Sequence, residues 1–290
     1  MSAIGTVLVT GGTGQTGRVV TDLLRRRGVD VVVASRNHPT EPPPSGVRHV
    51  RFDWADEATH DAALRGVSSL YLLPPPLDTD PVKVVEGFLS RARDAGVRRV
   101  VLLNSTAFPL AAAGLHAVRL TVQQMPEWSV LLASGFMQNF LGVHPTAIGV
   151  RERHEIVAAA GDGRMGWIDA ADVAAVAAEL LTRSDHDSRE HVLTGPEALS
   201  YIDMADTIAA EWGLPVRYRP VSSVERTVQL VDAGVPQPFV AALVGADVLT
   251  ASGAEARVTS EVSRVVGRDA TSFAEFVRRH RPRASTTPRG

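Results

Sequence analysis

The chain contains no cysteine and only one lysine, Lys83. Absence of cysteine excludes disulfides, a thiolate nucleophile and a cysteine-ligated metal. None of the three tyrosines, Tyr71, Tyr201 and Tyr218, has a lysine four residues on. A tyrosine acid steadied by a lysine one helical turn away is therefore unavailable. An excess of charge is lacking too: 30 basic residues face 32 acidic ones, for a formal net charge of −2. That balance gives no reason to expect nucleic acid or an anionic membrane as partner. No apolar run is long enough to span a bilayer, and the first residues lack the basic, apolar and small-residue order of a signal peptide. The cytoplasm is the expected compartment. The histidines are scattered without metal-ligand spacing, so no metal is expected. No carboxylate pair, serine triad, NTPase-type phosphate loop or internal repeat is present.

What the 290 residues do contain is an ordinary globular composition, 44% apolar and 21% charged, enough for one large domain or two small ones. One stretch organises the rest. Residues 10–18 read T-G-G-T-G-Q-T-G-R. An apolar run over 4–9 predicts a buried strand before it, and the apolar spacing of 19–24 predicts a helix after it. Gly11, Gly14 and Gly17 stand three apart where strand turns into helix. Such a turn lets backbone approach a pyrophosphate, and the unpaired N–H groups and positive dipole end of the helix attract it. Thr13, Gln15 and Thr16 fill the positions between the glycines.

Further strands are expected over 30–35, 47–52, 69–73, 99–103 and 129–132, with a helix over 81–95 that stops at Gly96. This alternation predicts an α/β fold, a Rossmann-like doubly wound parallel sheet covered by helices on both faces. Residues 40–46 form a proline-rich loop. The second half is less regular, with helices expected over 170–182, 201–212, 222–233, 237–248 and 272–280 and a short strand over 191–194. A nucleotide-binding domain over 1–145 is therefore followed by a smaller, mostly helical part over 146–280. Segments near 166–195 return to the main sheet, and 281–290 form a disordered tail.

The residue closing the second strand reports on the adenosine ribose. NAD sites place a carboxylate there, whereas a basic residue suits a 2′-phosphate. Here the strand ends Ser35-Arg36-Asn37, and Asp30 lies at its opposite end. A forked guanidinium and a hydroxyl favour NADP(H); the alternative is that Arg36 is an ordinary solvated loop residue.

The motifs T-G-G-T-G-Q-T-G, V-A-S-R-N, F-D-W-A-D, Y-L-L-P-P-P, V-V-L-L-N-S-T-A and F-M-Q-N-F occur in an order that resembles the NmrA-like atypical short-chain dehydrogenases. With L-T-G-P-E-A-L-S-Y and G-R-D-A-T-S-F-A-E-F-V, the set is similar to the ergot-alkaloid reductases of the agroclavine dehydrogenase and festuclavine synthase type. The resemblance spans nearly all of the chain except the tail. It implies that residues 11–17 wrap the pyrophosphate, that Ser35 and Arg36 hold the 2′-phosphate, and that Asp53, with Trp54 beside it, touches the adenine. Leu73, Pro74 and Pro75 would pass by the ribose next to the nicotinamide. Asn104 and Ser105 would approach the nicotinamide and the reacting carbon. Ser134, Gly135 and Phe136 would line the carboxamide side, with Met137, Asn139 and Phe140 facing substrate. Asp53 as a turn cap, the prolines as loop breakers and Phe136 as core are the structural alternatives. The chain departs from the family where Leu131-Leu132-Ala133 replaces the frequent L-R-P, and at Arg119.

The missing tyrosine–lysine pair bears on the chemistry. A ketone that takes up hydride places charge on oxygen and benefits from a proton donor. An iminium already carries the positive charge that hydride neutralises. The expected function is an NADPH-dependent reductase of a C=N bond in a small, alkaloid-like metabolite. A quinone or another activated double bond is the alternative acceptor, and a non-catalytic NADP(H)-sensing regulator is the alternative class. Ser105 and His116, the latter matching a family histidine, are the candidates to take part in the reaction. The partner is a small molecule, and monomer and homodimer are both left open.

Overall fold

In the computed structural model, which describes residues 5–37, 42–75, 81–106 and 113–282, the expected alternation of strand and helix is realised. The first half runs β1 (Thr6–Thr10), α1 (Gln15–Arg26), β2 (Val31–Ser35), β3 (Val47–Arg51), α2 (His60–Leu64), β4 (Val67–Leu72), α3 (Val82–Asp94), β5 (Arg99–Ser105), α4 (Ala113–Val122) and β6 (Glu127–Ala133). Side chains alternate across these strands, so each strand serves two cores. Val7 and Val9 of β1 pack with Val20 and Leu24 of α1, while Leu8 between them packs on the other face with Phe88 and Leu89 of α3. Near-continuous apolar runs are what a parallel sheet buried on both faces requires.

The chain then leaves the sheet through α5 (Pro145–Arg153), β7 (Glu155–Ala158) and β8 (Arg164–Met165). It comes back through α6 (Ala170–Thr182) and β9 (Arg189–Leu193). The alanines of α6 let it lie close against the sheet, where Val173, Ala174, Val176 and Ala177 are all buried. The remaining elements are β10 (Leu199–Ser200), α7 (Tyr201–Trp212), β11 (Arg217–Pro220), α8 (Ser223–Asp232), α9 (Gln237–Ala251), α10 (Glu261–Val266) and α11 (Phe273–Arg279). The sheet order is β3-β2-β1-β4-β5-β6-β9, with every neighbouring pair parallel. Strand order reverses between β1 and β4, and an open sheet of this kind offers its ligand crevice at that switch point, off the carboxyl ends of the strands.

A third core belongs to the second half, where Phe140, Ile156, Trp167, Met204, Ile208, Phe273 and Phe276 pack together. This part is mostly helical, as expected, but it also contains two small sheets that periodicity misses. β7 pairs in parallel with β11, and β8 pairs antiparallel with β10. These strands are two to four residues long. β11, read as R-Y-R-P, is largely exposed and carries no apolar alternation. Of the expected loop, Thr40 and Glu41 lie outside the described residues, as do Ile4, Pro76 and the tail from residue 283 onward. Among the described residues no helix is long and apolar enough to cross a membrane.

Candidate functional site

The turn after β1 has the build of an anion cradle. Gly11 takes φ +61°, a conformation that L side chains rarely adopt, and a Cβ there would come within 2.6 Å of Leu73 Cδ2. Gly14 N donates to Gly11 O at 2.8 Å, closing the turn. A Cβ on Gly17 would collide with Gly11 O and lie 2.9 Å from Gly12 Cα, so this glycine lets α1 sit directly on the turn. Gly12, which the three-residue spacing does not single out, has the same role toward β2, since its Cβ would meet Val33 Cγ1 at 2.7 Å. Gly14, the residue before α1, supplies no capping side chain, and the first turn of the helix holds no acidic residue. Its first N–H groups and positive dipole end are thus left for a ligand oxyanion. Thr13 and Gln15 are exposed at the rim, and Thr16 is buried.

Two side chains brace this turn from below. Thr10 Oγ1 accepts from Leu73 N at 2.7 Å, joining the ends of β1 and β4 at the switch point. Tyr71 Oη donates to Thr16 Oγ1 at 2.9 Å, tying β4 to the first turn of α1. Burial holds the Tyr71 phenol neutral, well above its ordinary range. Leu73 and Pro75 are half-buried and Pro74 is buried along the exit of β4.

At the adenosine end, Ser35 Oγ donates to Asn37 O at 2.7 Å and shapes the exit of β2. Arg36 and Asn37 are exposed beside it. Asp53 Oδ1 accepts from Ala55 N at 3.1 Å, so this carboxylate closes a local turn. Trp54 is half-buried, edge-on to Phe52 and Phe88 with ring centroids 4.9 and 5.2 Å away.

The opposite end of the crevice gathers the residues that follow β5 and β6. The Asn104 amide is spent within the protein, its Nδ2 donating to Leu115 O at 3.2 Å and its Oδ1 accepting from Ser105 N at 2.7 Å. Ser105 is half-buried. Ser134 is buried with no hydrogen-bond partner for Oγ among the described residues, and Gly135 and Phe136 are half-buried next to it. Gly135 O accepts from Ile168 N and Ile168 O accepts from Met137 N, both at 2.9 Å, which fixes this segment against the return of the chain. Met137 and Phe140 are both buried in the core of the second part, Phe140 edge-on to Trp167 and Phe273. Asn139 is half-buried and Gln138 bonds Asp169 Oδ1 at 2.7 Å, supporting the cap of α6. Most of F-M-Q-N-F thus joins the two parts of the molecule. His116 is exposed on α4.

Among the described residues no tyrosine hydroxyl bonds a residue that directly follows β5 or β6. Tyr71 lies under the glycine turn. Tyr201 and Tyr218 stack 5.5 Å apart in the second part, where burial raises both phenols, Tyr218 to about 12. Among the described residues no cluster of histidine, aspartate or glutamate has the makings of a metal site. Sequence reasoning also missed Thr106 and Glu255, which meet at 2.6 Å just beyond β5. They are 149 positions apart, so no local signal joins them.

Known proteins place this architecture. The uncharacterised oxidoreductase YesF of Bacillus subtilis is 34% identical over 274 residues, covering 94% of each chain. Agroclavine dehydrogenase of Claviceps fusiformis is 33% identical over 94% of this chain and 96% of its own. The NAD(P)H azoreductase of Xenophilus azovorans is 32% identical over 94% and 97%. Among solved structures, an NADPH-dependent quinone oxidoreductase of Escherichia coli complexed with NADPH superposes with a TM-score of 0.82 at 23% identity, covering 94% of this chain and 99% of its own. The NmrA-like family matches residues 4–277, and the chain belongs to that family.

Proposed function

We propose that this protein is an NADPH-dependent reductase that delivers hydride to the C=N bond, imine or iminium, of a small alkaloid-like metabolite. The observation that carries the proposal is an uncapped helix over a glycine turn at the end of β1, together with three tyrosine hydroxyls that are engaged by Thr16, Asp247 and Ala158 O. When bound, NADPH supplies the hydride. The glycines at 11, 12, 14 and 17 bring backbone N–H groups to the pyrophosphate. Ser35 and Arg36 supply a hydroxyl and a forked set of donors for the 2′-phosphate. Asp53 and Trp54 border the adenine, and Leu73, Pro74 and Pro75 border the ribose next to the nicotinamide. Ser134, Gly135 and Phe136 take the carboxamide side, with Ser105 and Asn139 toward the acceptor. For an iminium these residues need only orient the acceptor and exclude water, because the charge to be neutralised is already on the substrate.

Relatives of full length that are named agroclavine dehydrogenase and NAD(P)H azoreductase support the reductase class. The azoreductase favours a second reading, in which the acceptor is an azo compound, a quinone or another activated double bond. Absorbance of NADPH at its reduced-form band, followed with cyclic imines, N-alkyl iminium salts, quinones and an azo dye, separates these readings. Fastest turnover is expected on the iminium salts. Tight NADPH binding with every acceptor left unreduced would overturn the reductase in favour of a dinucleotide-sensing regulator.

A further inference from the structure

Thr106, Ser134 and Thr194 are the first residues after β5, β6 and β9, so they lie on the same edge of the sheet as the glycine turn. β5 is two strand spacings from β1, roughly 10 Å, which puts this group toward the far end of a bound dinucleotide. The loop after α9 brings Glu255 over them. Its side chain is buried, and one carboxylate oxygen accepts from Thr106 Oγ1 at 2.6 Å. No cation pairs with it among the described residues. Beside it is a cavity of about 20 Å³ lined by Thr106, Ser134, Val192, Thr194, Ala254, Glu255 and Arg257. That volume suits one water molecule, which needs two to four polar partners. The buried, unpartnered Ser134 Oγ and the Glu255 carboxylate are two such partners. Thr194 Oγ1 is already engaged with Thr259 N and Gly195 O. Arg257 and Ala254 are exposed, so the cavity connects the buried carboxylate with the surface.

We propose that Glu255 is a proton-relay residue, fed from solvent through one water held between Ser134 and its carboxyl group, and passing the proton through the Thr106 hydroxyl to the acceptor. The relay rests on the reductase function proposed above. Hydride from NADPH would form a new C–H bond at the electron-poor carbon of a neutral acceptor, the imine carbon or a ring carbon conjugated to a quinone carbonyl. The displaced π pair is left on X, the imine nitrogen or the quinone oxygen. X then takes the Thr106 hydroxyl proton, and the Thr106 oxygen takes one from Glu255, whose carboxyl group enters this step carrying a proton and donates where at rest it accepts. Glu255 regains its proton from the cavity water and bulk solvent, and a quinone then tautomerises to the hydroquinone. An N-alkyl iminium needs no proton in this step, because its π pair simply becomes the amine lone pair. The relay therefore has a signature that fold support alone does not have: it matters for neutral acceptors and not for cationic ones.

The test uses the full chain with NADPH, a neutral quinone and an N-methyl dihydroisoquinolinium salt. Glu255→Gln and Thr106→Val are expected to lower kcat on the quinone by about a hundredfold or more, the lower end of the usual contribution of general acid catalysis. Turnover of the iminium should stay within about twofold, and Glu255→Asp should recover part of the quinone rate. Equal losses on both acceptors, or no loss on the quinone, would overturn the relay. Thr106→Val carries the test if Glu255→Gln does not fold, and NADPH fluorescence titration reports whether each variant keeps its cofactor site. A high-resolution crystal structure supplies a readout independent of turnover: one ordered water bonded to both Ser134 Oγ and Glu255 is expected, and a dry cavity overturns the relay. A wild-type protein that reduces neither acceptor sinks the reductase function itself; a wild type that reduces both, without the split in the variants, sinks only the relay.

Discussion

Replacing Gly17 by alanine tests the claim that the glycine turn is a phosphate cradle and not merely a turn. The added Cβ would collide with Gly11 O and stand 2.9 Å from both Gly11 C and Gly12 Cα. Ordinary carbon contacts begin near 3.5 Å, so the turn must retreat by roughly 0.6 Å or more. Overpacking of this kind costs about 1–3 kcal/mol of stability. The same retreat stretches N–H to phosphate bonds of about 2.9 Å past the limit at which they hold. Loss of two charge-assisted bonds, each about 1.5 kcal/mol or more, comes to about 3 kcal/mol and roughly a hundredfold in NADPH affinity. Gly28→Ala is the matched control. Gly28 takes φ +74° after α1 with no atom within 4 Å of its would-be Cβ, so alanine there costs about 1–2 kcal/mol of strain without moving the turn. Urea unfolding and fluorescence titration with NADPH read the two effects separately. Both variants should lose stability, and only Gly17→Ala should lose the cofactor. Normal NADPH binding by Gly17→Ala, or equal weakening in Gly28→Ala, would refute the cradle.

Three further outcomes follow from the same geometry. Arg36→Ala should weaken NADPH ten- to a hundredfold and leave NADH within about threefold, since a charge-assisted pair contributes about 1.5–3 kcal/mol; equal loss of both would remove the 2′-phosphate role. Tyr71→Phe should cost about 1–2 kcal/mol in urea unfolding, by leaving the buried Thr16 hydroxyl without its donor. The shape of its pH–rate profile should not change, and a change would mean that Tyr71 takes part in proton transfer. His144 is pushed down to about 4, first by burial and then by the nearby Arg226 guanidinium. Its unfolded form therefore takes up a proton from about pH 6.5 downward while the native form stays neutral until about pH 4, and stability falls across that window. His144→Asn keeps an acceptor for Thr146 N and should reduce the stability drop between pH 7 and 4.5 by about 2 kcal/mol. An unchanged drop in urea unfolding at the two pH values would contradict this.

Local features were the most legible in the sequence. β1, the glycine turn and α1 are contiguous, and the apolar run of the strand, the glycine spacing and the 3.6-residue period of the helix each show locally. Helices α6 and α7 end where their apolar spacing ends. Features that need a distant partner were not legible. Gly12 matters because Val33 of β2 lies against it, and Glu255 matters because a loop 149 positions from Thr106 folds over β5. β11 lacks apolar alternation because it is a largely exposed partner of β7, so its pairing is set by backbone bonds and not by burial. The resemblance to relatives suggested substrate contacts for Met137 and Phe140. A sequence does not distinguish an apolar side chain that faces a pocket from one that faces the core, and here both are buried in the third core.

The seventh strand has a consequence for how the molecule is made. Among the described residues β6 is paired on its outer side by β9 alone, and 55 residues separate the end of one from the start of the other. On the ribosome the first six strands emerge well before β9, so the nascent sheet passes through a stage in which β6 is a bare edge with unpaired N–H and C=O groups. Chains arrested before residue 189 should therefore be more protease-sensitive around β6, or more prone to self-association, than chains arrested after residue 193. Equal protection of the two would mean that another segment guards that edge during synthesis.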